Sequence, residues 1–272
     1  IRMFTLVFTQ NTSITHTTLL VVAALTMLFG VVGAASQMEM RRILSFHIIS
    51  QVGYMILGIA TLSPVGIAGG VFHMLNHAIY KCCLFLCGGA VEDATGTAQL
   101  EKLGGLGKKM SITFTACLIA ALSISGIPPL NGFVSKWMVY QGVINMGSAN
   151  TVGAGLWPVW LLAAMFGSAL TLASFVKLIH SVFLSRLPSD MKETKEVSFN
   201  MTVPMIVLAV LCVLFGVFYR VPLEGLIYPA LGIESGAEIF TGIWDSSLAT
   251  FLIVIGIIVG LVILAVGFMA RK

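Results

Sequence analysis

The sequence predicts an all-α, polytopic transmembrane helix bundle of about seven spans, one of them a broken helix. Three observations carry that expectation. Hydrophobic residues make up 58% of the chain and charged residues 10%, with a mean hydropathy of +1.01, whereas soluble domains carry roughly 25% charged residues. Apolar runs long enough to cross about 30 Å of hydrocarbon, which takes about 20 residues, recur along the whole chain. One of those runs is interrupted by Gly126, Pro128, Pro129 and Gly132.

The spans are expected at 17–38, 43–62, 67–91, 111–145, 157–184, 199–219 and 246–270. The first is an unbroken apolar run. The second carries His47, Ser50, Gln51 and Tyr54 on one helical face, where Ser and Gln also serve to join helices. His47 reads either as part of a polar seam or as an interfacial residue near the cytoplasmic end.

The third span holds the strongest pattern. His73, His77 and Lys81 recur at i, i+4 and i+8, which at 100° per residue puts them within an arc of about 80°, with Tyr80 and Asn76 beside it. Histidine changes charge near neutrality, so a ladder of histidines ending in a buried lysine has the make-up of a proton relay.

The fourth run, 111–145, is too long for one straight helix. Its Gly and Pro residues at 126–132 break the i to i+4 hydrogen-bond ladder. Non-helical backbone at membrane depth persists only when buried in protein or lining a wet cavity, and such breaks mark ion sites in transporters. Lys136 is expected on the first turn of the second half-helix, where a helix N-terminus disfavours a positive charge.

The fifth span offers a weaker stripe of Thr171, Ser174, Lys177 and Ser181. Lys177 lies near the cytoplasmic end, where snorkelling accounts for it as well as a relay does. The sixth and seventh spans are almost wholly apolar and read as scaffold, lipid-facing or docking helices. The expected organisation is a five-helix unit over 1–184 and two trailing helices over 185–272.

Charge gives the orientation. Arg41, Arg42, Lys102, Lys108, Lys109, Arg186, Lys192, Lys195, Arg271 and Lys272 follow odd-numbered spans, while Arg2 and Arg220 fall on the other side. The positive-inside rule then puts the C-terminus in the cytoplasm or an organelle matrix. Lys81, Lys136 and Lys177 remain inside spans, and every acidic residue lies in a loop or at a span end. A lysine in mid-membrane costs about 2.5–3.5 kcal/mol even on the lenient insertion scale. Burial disfavours the charged form, so such a group is suited to taking up and releasing a proton.

Other classes are excluded or disfavoured by the same residues. Cys82, Cys83, Cys87, Cys117 and Cys212 all fall within spans. Cys83 and Cys87 lie one turn apart, but no iron–sulfur spacing appears, and buried cysteine ordinarily packs as a small hydrophobe. No metal or cofactor is expected. The basic residues form no helix or patch suited to nucleic acid, and the glycines and lysines of GLGKKM lack the preceding strand of a phosphate loop. The first residues have no signal-peptide pattern.

The stretches EMRRILSFHIISQVGYM, FHMLNHAIYKCCLFLCGGAV, LEKLGGLGKKM and SISGIPPLNGFVSKW resemble the antiporter-like membrane subunits shared by respiratory complex I, the Mrp-type cation/proton antiporters and the membrane-bound hydrogenases. They cover the first four spans, and their wording is closer to the Mrp and hydrogenase branch. The resemblance implies the second of two inverted five-helix repeats plus trailing helices. It places the family's relay histidines and lysine on His73, His77 and Lys81 and its terminal lysine on Lys136, with Glu39, Arg41 and Arg42 in the family's acidic-basic turn.

The family's first repeat, with its buried glutamate and partner lysine, is missing from the chain, which does not begin with Met. Upstream residues or a separate polypeptide are expected to supply it. The resemblance implies an ion-translocating membrane-arm subunit of a redox-driven pump in a prokaryotic inner membrane, moving protons or sodium ions. Its implied partners are other membrane-arm subunits and peripheral redox subunits with iron–sulfur centres, together with the lipid bilayer and no nucleic acid. The rivals are an Mrp-type exchanger without redox partners and a structural subunit with a vestigial relay.

Overall fold

The computed structural model describes residues 12–148 and 152–232. The seventh expected span, 246–270, lies outside them. Among the described residues the only extended pairing is an isolated bridge between Glu39 and Gln99, and the rest is helix and connection. The helices up to residue 217 are α1 (Thr12–Ser36), α2 (Met40–Ala60), α3 (Pro64–Thr95), α4 (Ser111–Ser125), α5 (Asn131–Met146), the short α6 (Val152–Gly155), α7 (Trp157–Ile179) and α8 (Phe199–Val217), and short helical turns follow over 220–231. A π-helical turn, His180–Leu184, extends α7. Five of these helices are long and apolar enough to cross a membrane, and α4 is a shorter apolar helix. The expected spans over 17–219 are all present, the fourth as two half-helices.

Local chemistry sets the ends. Ser63 caps α3 by accepting from Gly66 N at 3.1 Å, with Pro64 in the first turn, and Gly96 closes it in the left-handed region at φ 72°. At 1.5 Å per residue the 32 residues of α3 run about 48 Å, longer than about 30 Å of hydrocarbon, so its acidic end emerges. There Glu92 pairs with Arg41 at 2.5 Å, and Glu39 pairs with Arg42 at 2.9 Å. The amides at the start of α4 are met by a side chain from far along the chain. Glu196 accepts from Ile112 N at 2.9 Å, Thr113 N at 3.3 Å and the Thr113 hydroxyl at 2.6 Å. A carboxylate is favoured at a helix N-terminus by the dipole and the unpaired amides.

Packing relies on small residues, as is usual between membrane helices. A Cβ on Gly69 would meet Met138 Cβ at 2.7 Å, and one on Gly142 would strike the Gly66 backbone. These contacts lay α5 along α3. Gly53 of α2 likewise fits against Met27 and Ala23 of α1. The larger core cluster joins α2, α3, α4, α7 and α8, and a second joins α1, α2, α5 and α7. One face of α8, with Thr202, Met205, Ala209, Cys212 and Gly216, is buried, while Val203, Ile206, Val207, Val210 and Leu214 are exposed.

Candidate functional site

The break between α4 and α5 is built from its own sequence. Gly126, at φ 83°, ends α4. Its amide donates to Ser123 O at 2.9 Å and the Ile127 amide to Leu122 O at 3.1 Å, the bond pattern of a Schellman motif, which glycine suits because it adopts the left-handed region at no steric cost. The Pro128–Pro129 bond is cis. Gly132 then passes so close to the Ser123 carbonyl that a Cβ would collide with it. Asn131 fastens the break to α3. Its Nδ2 donates to Asn76 Oδ1 at 3.1 Å, Asn76 Nδ2 donates to Asn131 O at 3.0 Å, and the Ser123 hydroxyl donates to Asn131 Oδ1.

Lys136 is only 2% exposed, and its surroundings correct one expectation. It stands in the second turn of α5, and its side chain reaches back past the break to the C-terminal end of α4. Nζ donates to Ile124 O at 2.9 Å. The last carbonyls of a helix lack intrahelical partners and carry the negative end of the dipole, so the end of α4 adds a favourable contact for the ammonium that helix position did not predict. A second N–H goes to Ser168 Oγ at 3.2 Å, and the Tyr54 ring centroid lies 4.7 Å away. A carbonyl, a hydroxyl and an aromatic face thus surround the head group.

Ser168 is the junction of that set. Its Oγ lies 2.7 Å from Tyr140 OH and 2.9 Å from Tyr54 OH, and Tyr54 OH donates to Ala164 O at 2.5 Å. The donor count closes when Ser168 accepts from Lys136 and Tyr140 and donates to Tyr54. No carboxylate takes part. Among the described residues, Glu39 and Glu92 are the carboxylates in ion pairs, both with arginines at the start of α2.

His73 also lies beside Tyr54, with ring centroids 5.7 Å apart. It is fully buried. Its Nδ1 lies 2.9 Å from Ser135 Oγ, its Nε2 lies 3.1 Å from Gln51 Oε1, and Tyr80 OH is 3.4 Å from Nε2. One neutral tautomer satisfies both ring nitrogens: Nε2–H donates to Gln51 Oε1, and the Ser135 hydroxyl donates to Nδ1. Helices α2, α3 and α5 each contribute one member of this chain.

His77 is half-buried and meets Tyr80 edge-on at 5.5 Å. Lys81 is 4% exposed and lies near the rings of Phe85 and Phe175, at 5.8 and 6.0 Å from their centroids. His47 stacks on that same Phe175 at 4.7 Å and shares a hydrogen bond of 2.9 Å with Ser174 Oγ. It is fully buried. His47 Nδ1, Ser50 Oγ, Gln51 Nε2, His77 Nε2 and Lys81 Nζ are buried polar atoms with no protein hydrogen-bond partner among the described residues. They come from α2 and α3, whose seams the sequence singles out. The structure therefore joins His73 and Lys136 tightly around Tyr54 and sets Lys81 in a separate aromatic setting beside His47.

Lys177 is not part of either group. Its Nζ donates to Ala35 O at 2.7 Å and Gln37 O at 2.8 Å, so it serves the carbonyls at the end of α1. Cys83 is spent on packing, with its thiol donating to Ala116 O at 3.7 Å and Met205 O at 3.5 Å. Ser168, Tyr140, Ser135 and Asn131 are site residues that sequence reasoning missed. Ser168 continues the Thr171 and Ser174 stripe back by one turn, which was the available signal.

The comparisons with known proteins agree with this architecture. Residues 1–161, more than half of the chain, match the family described as NADH:quinone oxidoreductase/Mrp antiporter, TM. The chain is 40% identical over 196 residues to a Na(+)/H(+) antiporter subunit of Alkalihalophilus pseudofirmus, covering 72% of this chain and 37% of that protein. It is 35% identical over 206 residues to the hydrogenase-4 component B of Escherichia coli, covering 71% of this chain and 31% of that protein. The chain thus spans well under half the length of these relatives. In structure it is similar to a chain of the membrane-bound sulfane sulfur reductase, an archaeal respiratory membrane complex, with TM-score 0.77, 29% identity and coverage of 92% of this chain and 40% of that one. Apolar spanning helices and the family match together make this an integral membrane protein. The chain belongs to the NADH:quinone oxidoreductase/Mrp antiporter transmembrane family.

Proposed function

We propose that this chain is the second repeat of an ion-translocating membrane-arm subunit in a redox-driven pump. Lys81 passes a proton through water and His73 or His77 to Lys136, and Lys136 exchanges it with one membrane face. The observation that carries this reading is the setting of Lys136. Its head group is held by Ile124 O, Ser168 Oγ and the Tyr54 face, so it can hold or lose a proton without breaking an ion pair. The unpartnered polar atoms of His77 and Lys81 support water between the two groups, since buried polar atoms are costly unless hydrogen-bonded.

Its partners are other membrane subunits, one of which, or an upstream segment, supplies the first repeat, and peripheral redox subunits with iron–sulfur centres. It lies in a prokaryotic inner membrane with the C-terminus cytoplasmic, a placement supported by the lysines and arginines of the loops after α1, α3 and α7. A second reading, a subunit of a Na⁺/H⁺ exchanger without redox partners, is favoured by the 40% identity to an antiporter subunit. The test is Lys136→Met and Lys81→Met in the native complex reconstituted in vesicles, with ion uptake followed by a pH-sensitive dye. Loss of uptake with normal assembly supports translocation, and wild-type uptake refutes it. Uptake driven by a sodium gradient in the absence of any electron donor selects the exchanger.

A further inference from the structure

The contacts of Ser135 have a property that the relay alone does not require. Its Oγ lies 2.9 Å from His73 Nδ1 and also 3.3 Å from both Asn131 O and Gly132 O, in the first turn of α5. Ser135 and His73 are both fully buried. A hydroxyl has one hydrogen and two lone pairs, so this one has two complete arrangements. In the first it donates to Nδ1, and Nε2–H donates to Gln51 Oε1. In the second the imidazole carries protons on both nitrogens, Nδ1–H donates to Ser135 Oγ, and the hydroxyl hydrogen turns to Asn131 O or Gly132 O. No heavy atom moves between the two.

We propose that Ser135 is the positioning residue that lets His73 change charge inside the membrane, its hydroxyl turning between the imidazole and the carbonyls at the break. This rests on the translocation reading above. A buried imidazolium needs an acceptor on each nitrogen, and a buried neutral imidazole needs a donor for its bare nitrogen. A carbonyl at the Ser135 position would serve only forms of His73 with a proton on Nδ1, and an amide N–H only forms with Nδ1 bare. The hydroxyl serves both. Because its other partners are the first carbonyls of α5, the charge of His73 is also reported to the break that holds Lys136.

The test uses the native complex in vesicles, with proton uptake measured for Ser135→Ala, Ser135→Thr, His73→Gln and the double substitution S135A/H73Q. Ser135→Ala removes one atom and should assemble normally while slowing uptake about ten- to a hundredfold, the effect of losing a hydrogen bond to a charged group. Ser135→Thr keeps the hydroxyl and should restore uptake to within about threefold of wild type. If the threonine variant does not accumulate, the double substitution decides: Ser135 acts through His73 if S135A/H73Q is no slower than His73→Gln. Wild-type uptake in Ser135→Ala, or additive losses in the double variant, overturns the proposal while leaving translocation intact, provided Lys136→Met is inactive. Wild-type uptake in Lys136→Met as well would instead mean that the translocation reading has failed.

Discussion

The Lys136 ammonium nitrogen lies 4.7 Å from the centroid of the Tyr54 ring, and this aromatic face takes the place that a carboxylate occupies beside most buried lysines. A cation over a desolvated aromatic face gains up to about 2 kcal/mol. That attraction is weaker than an ion pair, which is what a group that must both bind and release a proton needs.

Tyr54 can therefore be divided by substitution. Tyr54→Phe keeps the ring and loses the hydroxyl bonds to Ser168 and Ala164, and uptake should fall only about threefold. Tyr54→Leu removes the face and should fall at least about tenfold. Equal losses in the two variants would show that the hydroxyl, not the ring, holds the site.

Ser168→Ala should be more damaging than its size suggests. It deprives Lys136 and Tyr140 of a shared acceptor, and each buried donor left unpaired costs about 1–3 kcal/mol. The thermal midpoint of the solubilised complex and its transport rate should both drop. A variant with unchanged midpoint would mean that a water replaces the hydroxyl.

Lys177→Met should separate structure from transport. The two bonds to Ala35 O and Gln37 O contribute about 1–2 kcal/mol after discounting for partial exposure. Thermal stability should fall by that order while the rate per assembled complex is retained. A rate that collapses in fully assembled complex would return Lys177 to the relay.

Gly132→Ala introduces a methyl group where Ser123 O already lies. A backbone carbonyl cannot rotate aside as a side chain does, so a loss of roughly 3 kcal/mol is expected, seen as poor accumulation in the membrane. Normal accumulation would show that the break shifts to make room.

Much of this was legible in the residues. The His73, His77 and Lys81 ladder follows from helical period alone, and Gly126, Pro128, Pro129 and Gly132 mark the break because each disrupts a helix for a known steric reason. Other parts were hidden. Every residue carries a backbone carbonyl, so nothing in the sequence singles out that of Ile124 as the partner of Lys136. The partner of Lys136 was hidden because a four-carbon stem reaches the neighbouring half-helix, and helix position alone does not say where the charge sits. Ser168 extends the Thr171 and Ser174 stripe, but a serine in a membrane helix most often bonds its own helix, so the stripe alone does not point to Lys136. The burial of His47 was set by Phe175, a residue 128 positions away in α7, and periodicity carries no information at that separation.

Gly216 has no side chain, and the space this leaves is occupied by the Pro129 carbonyl and the backbone of Leu130 and Asn131. An almost wholly apolar helix thereby becomes the abutment against which the break rests. A helix with no relay residue thus packs directly against the segment that carries Asn131 toward α3 and Lys136 toward α4, and a side chain at position 216 would displace that segment.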